Sequence, residues 1–487
     1  MTENTRYPWG VGEARIIQAD DTTPRAAILR TLWQELHLRY ADLLWEQQGR
    51  LVMVRDGRLE QVTVAKLSPF VTHAVSLGKA TNKGEIKMRA VDRGLIGDVV
   101  EGPQAFCRPL RTVVHAPYLG LDGKVVTRPG YDAAAAIWLE WQGPPVDLEA
   151  VTLALEHEVL ARLLDYPFVD EADRAHALGL ILTPLLRPAI EGPTPLHTLI
   201  STGPGTGKTY FCRSVGVVAE GTEPSMRGFD DWSSEAARQL TTYLLSCPTL
   251  LVLDNLPTGT RVGGSDLHRC LTADGPIGLR PIGAGEERMV DVMCTWIATA
   301  NNPDFDDEMV RRTIPIRLHH LPGRKWMTPN LIAWILEHRT LVLACLLRLV
   351  QRWVEAGRPA PSRVRDGYLA WSQVVGGVVE HAGLGPWLHP SHEVVSTERG
   401  EWSELLGRWP RDSAGRYLDL RPKGVLQVMK DLDLHTLLDS IAGKSPESRL
   451  GRLLASTARG GRSHDGYRLE VVPVSGGKGY RPIAPSV

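Results

Sequence analysis

One short segment constrains this chain more than any other. An apolar run, LHTLIS at 196–201, leads into Thr202-Gly203-Pro204-Gly205-Thr206-Gly207-Lys208-Thr209, and a helical stretch, YFCRSVGVVAEG, follows and closes on Gly221. Glycines at this spacing let the backbone turn its N–H groups toward phosphate oxygens at a helix N-terminus. Strand, glycine-rich loop and helix in that order are the context in which such a loop binds a nucleotide. Lys208 is expected to reach the β and γ oxygens and the Thr209 hydroxyl to ligate Mg²⁺, which makes ATP and Mg²⁺ the expected cofactors. Gly203, Pro204, Gly205, Thr206, Gly207, Lys208, Thr209 and Tyr210 form the expected nucleotide-binding set. The first glycine of G-x-x-x-x-G-K-[ST] is replaced by Thr202, and the three glycines that remain are expected to suffice.

The segment Thr249-Leu250-Leu251-Val252-Leu253-Asp254 reads as a buried strand that ends in a carboxylate, where a metal-orienting aspartate belongs. Both motifs belong at the C-terminal ends of parallel strands. Asn255 follows Asp254 where many such enzymes carry a water-activating glutamate. Three readings stay open. A carboxylate from elsewhere serves as base, with Glu235, Asp230 and Asp231 the nearest in sequence; Asn255 positions the water; or turnover is slow. For Glu235 a solvated helix face is an equal reading. A third apolar run, Trp296 to Ala300, ends at Asn301, and Arg311 and Arg312 precede the run TIPIRL at 313–318.

The order of these motifs resembles the core of AAA+ ATPases. More closely, LLDYPFVDEADR, ILTPLLRPAIEG, PGTGKT, LLVLDN, ATANN and RRTIPIRL resemble the helicase part of primase-helicase proteins of phages and plasmids, relatives of the superfamily 3 helicases. The resemblance covers about residues 160–320. It implies that Lys208, Asp254 and Asn255 belong to the catalytic set, that Asn301 is a sensor of the γ-phosphate or the attacking water, and that Arg311 or Arg312 is an arginine finger. A cationic fork supplied by a neighbour makes hydrolysis depend on assembly, and head-to-tail contacts close into a ring, here expected to be a homo-hexamer.

Formal charge is −1, from 55 Lys and Arg against 56 Asp and Glu, so a DNA partner must be held by local basic surfaces. Between Asp254 and Asn301, residues 278–290 read as a glycine-turned hairpin bearing Arg280 and Arg288; in the helicases it resembles, this hairpin grips DNA in the central pore. Glu286 and Glu287 near its tip weigh against simple phosphate contact. Met226, Arg227, Phe229 and Trp232 are a second candidate pore loop, or core. From Ile441 to Val487 the chain carries eight basic residues against three acidic, a local +5. A helix, SPESRLGRLLAST, followed by GYRLEVVPV, a Gly-Gly turn and GYRPI fits the recognition helix and wing of a winged-helix domain, with Arg449, Arg452 and Lys478 as DNA contacts. Lys79, Lys83, Lys87, Arg89 and Arg93 make a second positive stretch, read as a solvated loop.

Composition sets the remaining bounds. With 43% hydrophobic and 23% charged residues over 487 positions the chain has the make-up of a globular protein of about three domains. The expected class is α/β: an N-terminal α+β accessory domain over 1–145, an AAA+ P-loop core with leading helices over 146–323, a helical lid or linker over 324–394 and a winged-helix-like domain over 395–487. The six cysteines show no C-x-x-C pair, which fits a reducing compartment. The start lacks a signal sequence, and the apolar run at 341–350 is too short for a bilayer and holds Arg348, so a cytoplasmic protein with no membrane partner is expected. The first 150 residues carry no D-x-D pair and no zinc-ligand cluster, so any primase is expected to be a separate chain. The function expected is an ATP-dependent DNA helicase or translocase in replication of a mobile element, acting on single-stranded or forked DNA. The alternatives are an ATP-switched origin-binding or loading protein and a remodeller of protein partners.

Overall fold

The computed structural model describes residues 15–19, 23–80, 85–102, 107–201, 205–228, 234–256, 261–281, 287–301, 303–321, 323–389, 397–434, 437–438, 441, 445–459, 467–475 and 477–484. The chain is mixed α/β. Its N-terminal part holds β1 (Arg15–Gln18), α1 (Arg25–Tyr40), β2 (Leu44–Gln47), β3 (Arg50–Arg55), β4 (Arg58–Gln61), α2 (Val64–Ala74), β5 (Val75–Ala80), β6 (Ile86–Arg89) and α3 (Arg93–Glu101). Asp56 and Gly57 join β3 to β4, both left-handed at φ 50° and 69°; two such residues give the turn the twist a tight hairpin needs. Three helices and β1–β5–β6 enclose a small core of their own around Leu32, Leu36, Leu67, Val71 and Leu77.

Residues 107–145 take a different allegiance. Strands β7 (Thr112–Val114), β8 (Gly130–Asp132) and β9 (Ile137–Leu139) form one sheet. Val114, Tyr118, Ile137, Leu139 and Trp141 join the central hydrophobic cluster. Arg111 holds this seam with an ion pair to Asp291 (2.7 Å), and Gln47 donates to the Cys247 thiol (3.2 Å).

The strands at the centre of the molecule are buried almost continuously along their length, as strands covered on both faces are. After α4 (Leu153–Leu163) and α5 (Glu171–Leu186) come β10 (Leu196–Ser201), α6 (Lys208–Glu220), β11 (Met226–Gly228), α7 (Ser234–Leu244), β12 (Leu250–Leu256), the hairpin strands β13 (Ile277–Leu279) and β14 (Arg288–Val290), β15 (Thr295–Asn301), α8 (Asp307–Arg312) and β16 (Thr313–Arg317). Five strands pair in the order β11-β12-β15-β10-β16, every pair parallel. Val252 and Ile297 face one side, with α5 and α6; Leu251, Leu253, Trp296 and Ala298 face the other, with Leu240 and Leu244 of α7.

The segment set apart in the sequence as a lid is built into this core. α9 (Leu331–Glu355) packs on α6 and α4, and Trp353, Trp371, Val375 and Trp387 lie in the same cluster as the sheet. Arg339 of α9 fixes the contact: its guanidinium donates to the carbonyls of Val217, Val218 and Ala219 at the C-terminus of α6 and to that of His115, at 2.7–3.1 Å. A cation there shares the Val217 carbonyl with the capping Gly221 amide, adds a donor to those of Val218 and Ala219, and opposes the negative end of the helix dipole.

The C-terminal part has its own core, with Trp402, Leu405, Trp409, Val425, Met429, Leu450, Leu454 and Tyr480. It is formed by α10 (Thr397–Gly407), α11 (Pro422–Asp431), α12 (Pro446–Arg459) and the antiparallel pair β17 (Arg468–Val474) and β18 (Gly477–Ile483). All six cysteines are free thiols. Among the described residues no helix is long and apolar enough to cross a membrane.

Candidate functional site

Three adjacent parallel strands deliver the chemistry to one edge. β10 ends at Ser201, β15 at Asn301 and β12 carries Asp254 near its end; the register sets Ser201 opposite Asn301. Gly205 and Gly207 are left-handed, at φ 74° and 94°, and Gly207 is the N-cap from which α6 starts. Only glycine takes these angles without strain, so the loop can turn directly into the helix. Thr202, Gly203 and Pro204 lie outside the described residues.

Lys208 opens α6 and turns back over the strand ends. Its ammonium donates to Oδ1 of Asn301 (2.7 Å), to the Ser201 hydroxyl and to Oγ1 of Thr206 (3.5 Å). The residue is 9% exposed, and burial lowers the pKa of the ammonium while Asp254 opposes the shift. A cation so placed, beside the positive end of a helix, attracts an anion strongly. One residue on, Oγ1 of Thr209 donates to Oδ1 of Asp254 at 3.1 Å. A hydroxyl and a carboxylate in contact at the mouth of the loop are the donor set a hard divalent cation takes. The residues present therefore fit a nucleotide triphosphate with Mg²⁺.

Asp254 is held from behind by a residue that no sequence motif marked. The Thr299 hydroxyl, on the neighbouring strand, donates to Oδ1 of Asp254 at 2.6 Å and accepts from the Asn255 amide at 2.7 Å. Asn255 is left-handed (φ 55°), and the β12–β15 register slips between Leu253 and Leu256. This bulge leaves the Asn255 side chain exposed. Ser201 and Thr299 could be found in the sequence only by knowing which strands pair.

A pocket of about 170 Å³ adjoins the loop, lined among others by Arg162, Asp165, Tyr166, Tyr210, Trp326 and Leu331. A side chain at Gly207 would meet Trp326 and Tyr166 at 3.4 Å. Asp165 braces the wall, accepting from Arg324 (2.5 Å) and the Met327 amide (2.5 Å). The Tyr210 hydroxyl accepts from the Ile332 amide (3.2 Å). Of this set the sequence marks only Tyr210, because its members come from three separate segments.

Arg311 and Arg312 close α8, and both pair with Glu308. Arg311 is 67% exposed at its side chain, Arg312 18%. They precede Thr313, which pairs with Leu196 at the strands' N-terminal ends. Five residues of strand, about 17 Å, thus separate them from the edge where Ser201 and Lys208 sit. Arg365 caps α8 by donating to the carbonyls of Arg311 (3.0 Å) and Thr313 (3.3 Å).

The expected DNA contacts fall at three places. β13 and β14 form the antiparallel hairpin read from sequence. Arg280 is exposed beyond β13, whereas Arg288 donates to Oε1 of Gln61 in the N-terminal part at 2.9 Å. Arg449 and Arg452 are exposed on α12, and Lys478 is exposed one pair from the β17–β18 turn. Asp230, Asp231, Phe229, Trp232, Glu286, Lys444, Arg462 and Asp465 lie outside the described residues, as does the side chain of Glu235 in α7.

No protein-family profile and no curated protein matches the chain in sequence. Among solved structures, the A-form apo structure of the NrS-1 C terminal region aligns with 93% of this chain and 99% of its own, at 14% identity and a TM-score of 0.39. The X-ray structure of JCV Helicase aligns with 48% of this chain and 60% of its own, at 13% identity and a TM-score of 0.24.

Proposed function

We propose that the chain is an ATP-dependent DNA helicase or translocase of the AAA+ type, serving the replication of a mobile element and working as a homo-oligomeric ring, a hexamer by expectation. One observation carries this reading: Lys208 and Thr209 of the loop meet Asn301 and Asp254, each from a different strand, at a single edge of a parallel sheet. Ligands of such sheets bind outside the C-terminal ends of the strands.

In this reading Gly203, Pro204, Gly205, Thr206 and Gly207 cradle the phosphates, Lys208 neutralises the β and γ oxygens, and the Tyr166–Tyr210–Trp326 pocket takes the base. Mg²⁺, held by Thr209 and Asp254, supplies charge neutralisation at the phosphates. Asn301, which already accepts from Lys208, orients at the γ-phosphate. Arg311, exposed and on the far edge from its own loop, serves a neighbour's nucleotide, which ties turnover to assembly. The catalytic carboxylate is left to Glu235, Asp230 or Asp231. Arg280, Arg449, Arg452 and Lys478 contact DNA, with residues 395–487 acting as a winged-helix-like unit and the part before residue 107, with its own core, as an accessory unit.

A second reading has one observation behind it. Asn255 stands where a second carboxylate is expected, and its amide is committed to Thr299; this suits a nucleotide switch that loads or marks DNA without processive unwinding. Strand displacement on a forked duplex separates the two. ATP-dependent unwinding that Lys208→Ala abolishes supports the motor, and tight ATP and DNA binding without unwinding supports the switch.

A further inference from the structure

α8 has six residues, too few to hold a helix without tertiary contacts, yet it carries Arg311. Its start is fixed by the Asp306 carboxylate, which accepts from the Met309 amide at 2.7 Å, and by the fully buried Met309 side chain. Its end is fixed from outside. A longer helix would pair the carbonyls of Val310 and Arg311 with the amides of residues 314 and 315; here Ile314 is already strand, and Pro315 has no N–H. Arg365 supplies donors in their place. Its guanidinium donates to the carbonyls of Val310, Arg311 (3.0 Å) and Thr313 (3.3 Å), so one planar fork spans the last helical turn and the first residue of β16.

Arg365 is itself held. Its amide donates to the Ser372 hydroxyl at 2.9 Å, and its carbonyl accepts from the Tyr368 amide at 2.9 Å. Three residues upstream, Ser362 is tied through its amide (2.6 Å) and its hydroxyl (2.5 Å) to Glu380. Trp371, fully buried, donates from its indole to the Thr183 hydroxyl of α5 at 3.1 Å. Tyr368 lies near enough to Arg312 and Arg365 that both charges oppose the rise burial gives its phenol. The same helical region reaches the other functional helix. Arg339 of α9 grips carbonyls at the end of α6, whose first residue is Lys208, and Arg365 grips those at the end of α8.

We infer that Arg365 is the positioning residue for Arg311: it acts through α8, not on the nucleotide, and sets the direction in which that helix offers Arg311 to a neighbouring copy. The inference rests on the proposed reading of Arg311 as a finger. Arg311 leans on Glu308 of its own helix at 2.7 Å, so its side chain follows the turn that Arg365 holds. A finger in place contributes about 10³–10⁵ in kcat, and a misplacement of about 1 Å in such a group costs about a hundredfold. Loss of the Arg365 fork therefore shows as a defect in what a subunit gives its neighbour, while its own loop stays intact.

The test is ATP hydrolysis by the full chain, alone and in mixtures of variants. Arg365→Met keeps the aliphatic stem and removes the donors, and Arg365→Lys keeps the charge without the fork. In Arg365→Met kcat falls at least about tenfold while Kd for ATP stays within about twofold, and Arg365→Lys falls less. Mixed with Lys208→Ala, Arg365→Met recovers hydrolysis, because the intact loop of one meets the intact finger of the other. Mixed with Arg311→Ala it recovers none, because neither copy offers a working finger. Thermal melting checks the fold, and if Arg365→Met does not fold, Arg365→Lys shows the same pattern of recovery. Wild-type kcat in folded Arg365→Met overturns the inference, and so does recovery with Arg311→Ala. Failure to recover with Lys208→Ala overturns it as well, provided that Arg311→Ala and Lys208→Ala recover together. A wild-type chain without hydrolysis, or no recovery in that reference pair, sinks the finger reading itself and this inference with it.

Discussion

The Thr299 hydroxyl sits between Asp254 and Asn255, donating to the carboxylate at 2.6 Å and accepting from the amide at 2.7 Å. One side chain on the neighbouring strand thus fixes the metal-side aspartate and the bulge that follows it. Thr299→Val keeps the shape and removes both bonds. The Asn255 amide is then without a buried acceptor, which costs about 1–2 kcal/mol in a denaturation experiment. With Asp254 free to turn, kcat for ATP falls at least about tenfold, roughly 1.4 kcal/mol in the barrier, and Thr299→Ser restores it. An equal fall in the serine variant would assign Thr299 to packing alone.

In the proposed reading Trp326 is a wall of the pocket that takes the base. Trp326→Ala removes an aromatic wall that stacking makes worth about 1–3 kcal/mol. The expected result is a KM for ATP raised about tenfold or more with kcat within about twofold, and recovery in Trp326→Phe. An unchanged KM would place the base elsewhere.

The two arginines of α8 are distinguished by exposure. Arg311 reaches outward and Arg312 is packed against Glu308. Arg311→Ala and Lys208→Ala are each inactive alone, and mixing them restores part of the hydrolysis, because one supplies the loop and the other the finger. Absence of recovery across mixing ratios contradicts a finger acting between subunits.

Glu220 ends α6 at the opposite pole from the glycine loop. Burial pushes its carboxyl up to about 7, against the lowering effect of the Leu250 amide, Arg58, Thr249 and Arg339. The unfolded carboxyl titrates at about 4.3. Between these values the folded chain holds a proton the unfolded chain has released, so this contribution is full below about pH 4 and is lost as pH rises through 7. Glu220→Gln removes the dependence. Its stability relative to wild type rises by at least about 1 kcal/mol between pH 4 and pH 8, read by denaturant melts. A constant difference would show that Glu220 does not carry the shift.

Local chemistry made part of this site legible before any fold was known. The glycine loop, the Asp254 strand and the Asn301 strand each announce themselves within eight residues, because backbone turning, burial and strand ends leave local marks. Thr299, Ser201 and the Tyr166–Trp326 wall leave none: a threonine in a buried strand reads as β-propensity until its partner strand is known. The helical segment after residue 323 was readable as helix, but its union with the sheet rests on Arg339 reaching the end of α6, a contact without a sequence signature.

Lys208, Asp254 and Asn301 are proposed to form a nucleotide engine coupled to DNA. Steady-state ATP hydrolysis with and without single-stranded and duplex DNA, with Lys208→Ala as the blank, tests it most directly. The expected result is turnover that DNA stimulates several-fold and that vanishes in the variant. Hydrolysis that ignores DNA, or that persists in Lys208→Ala, contradicts it.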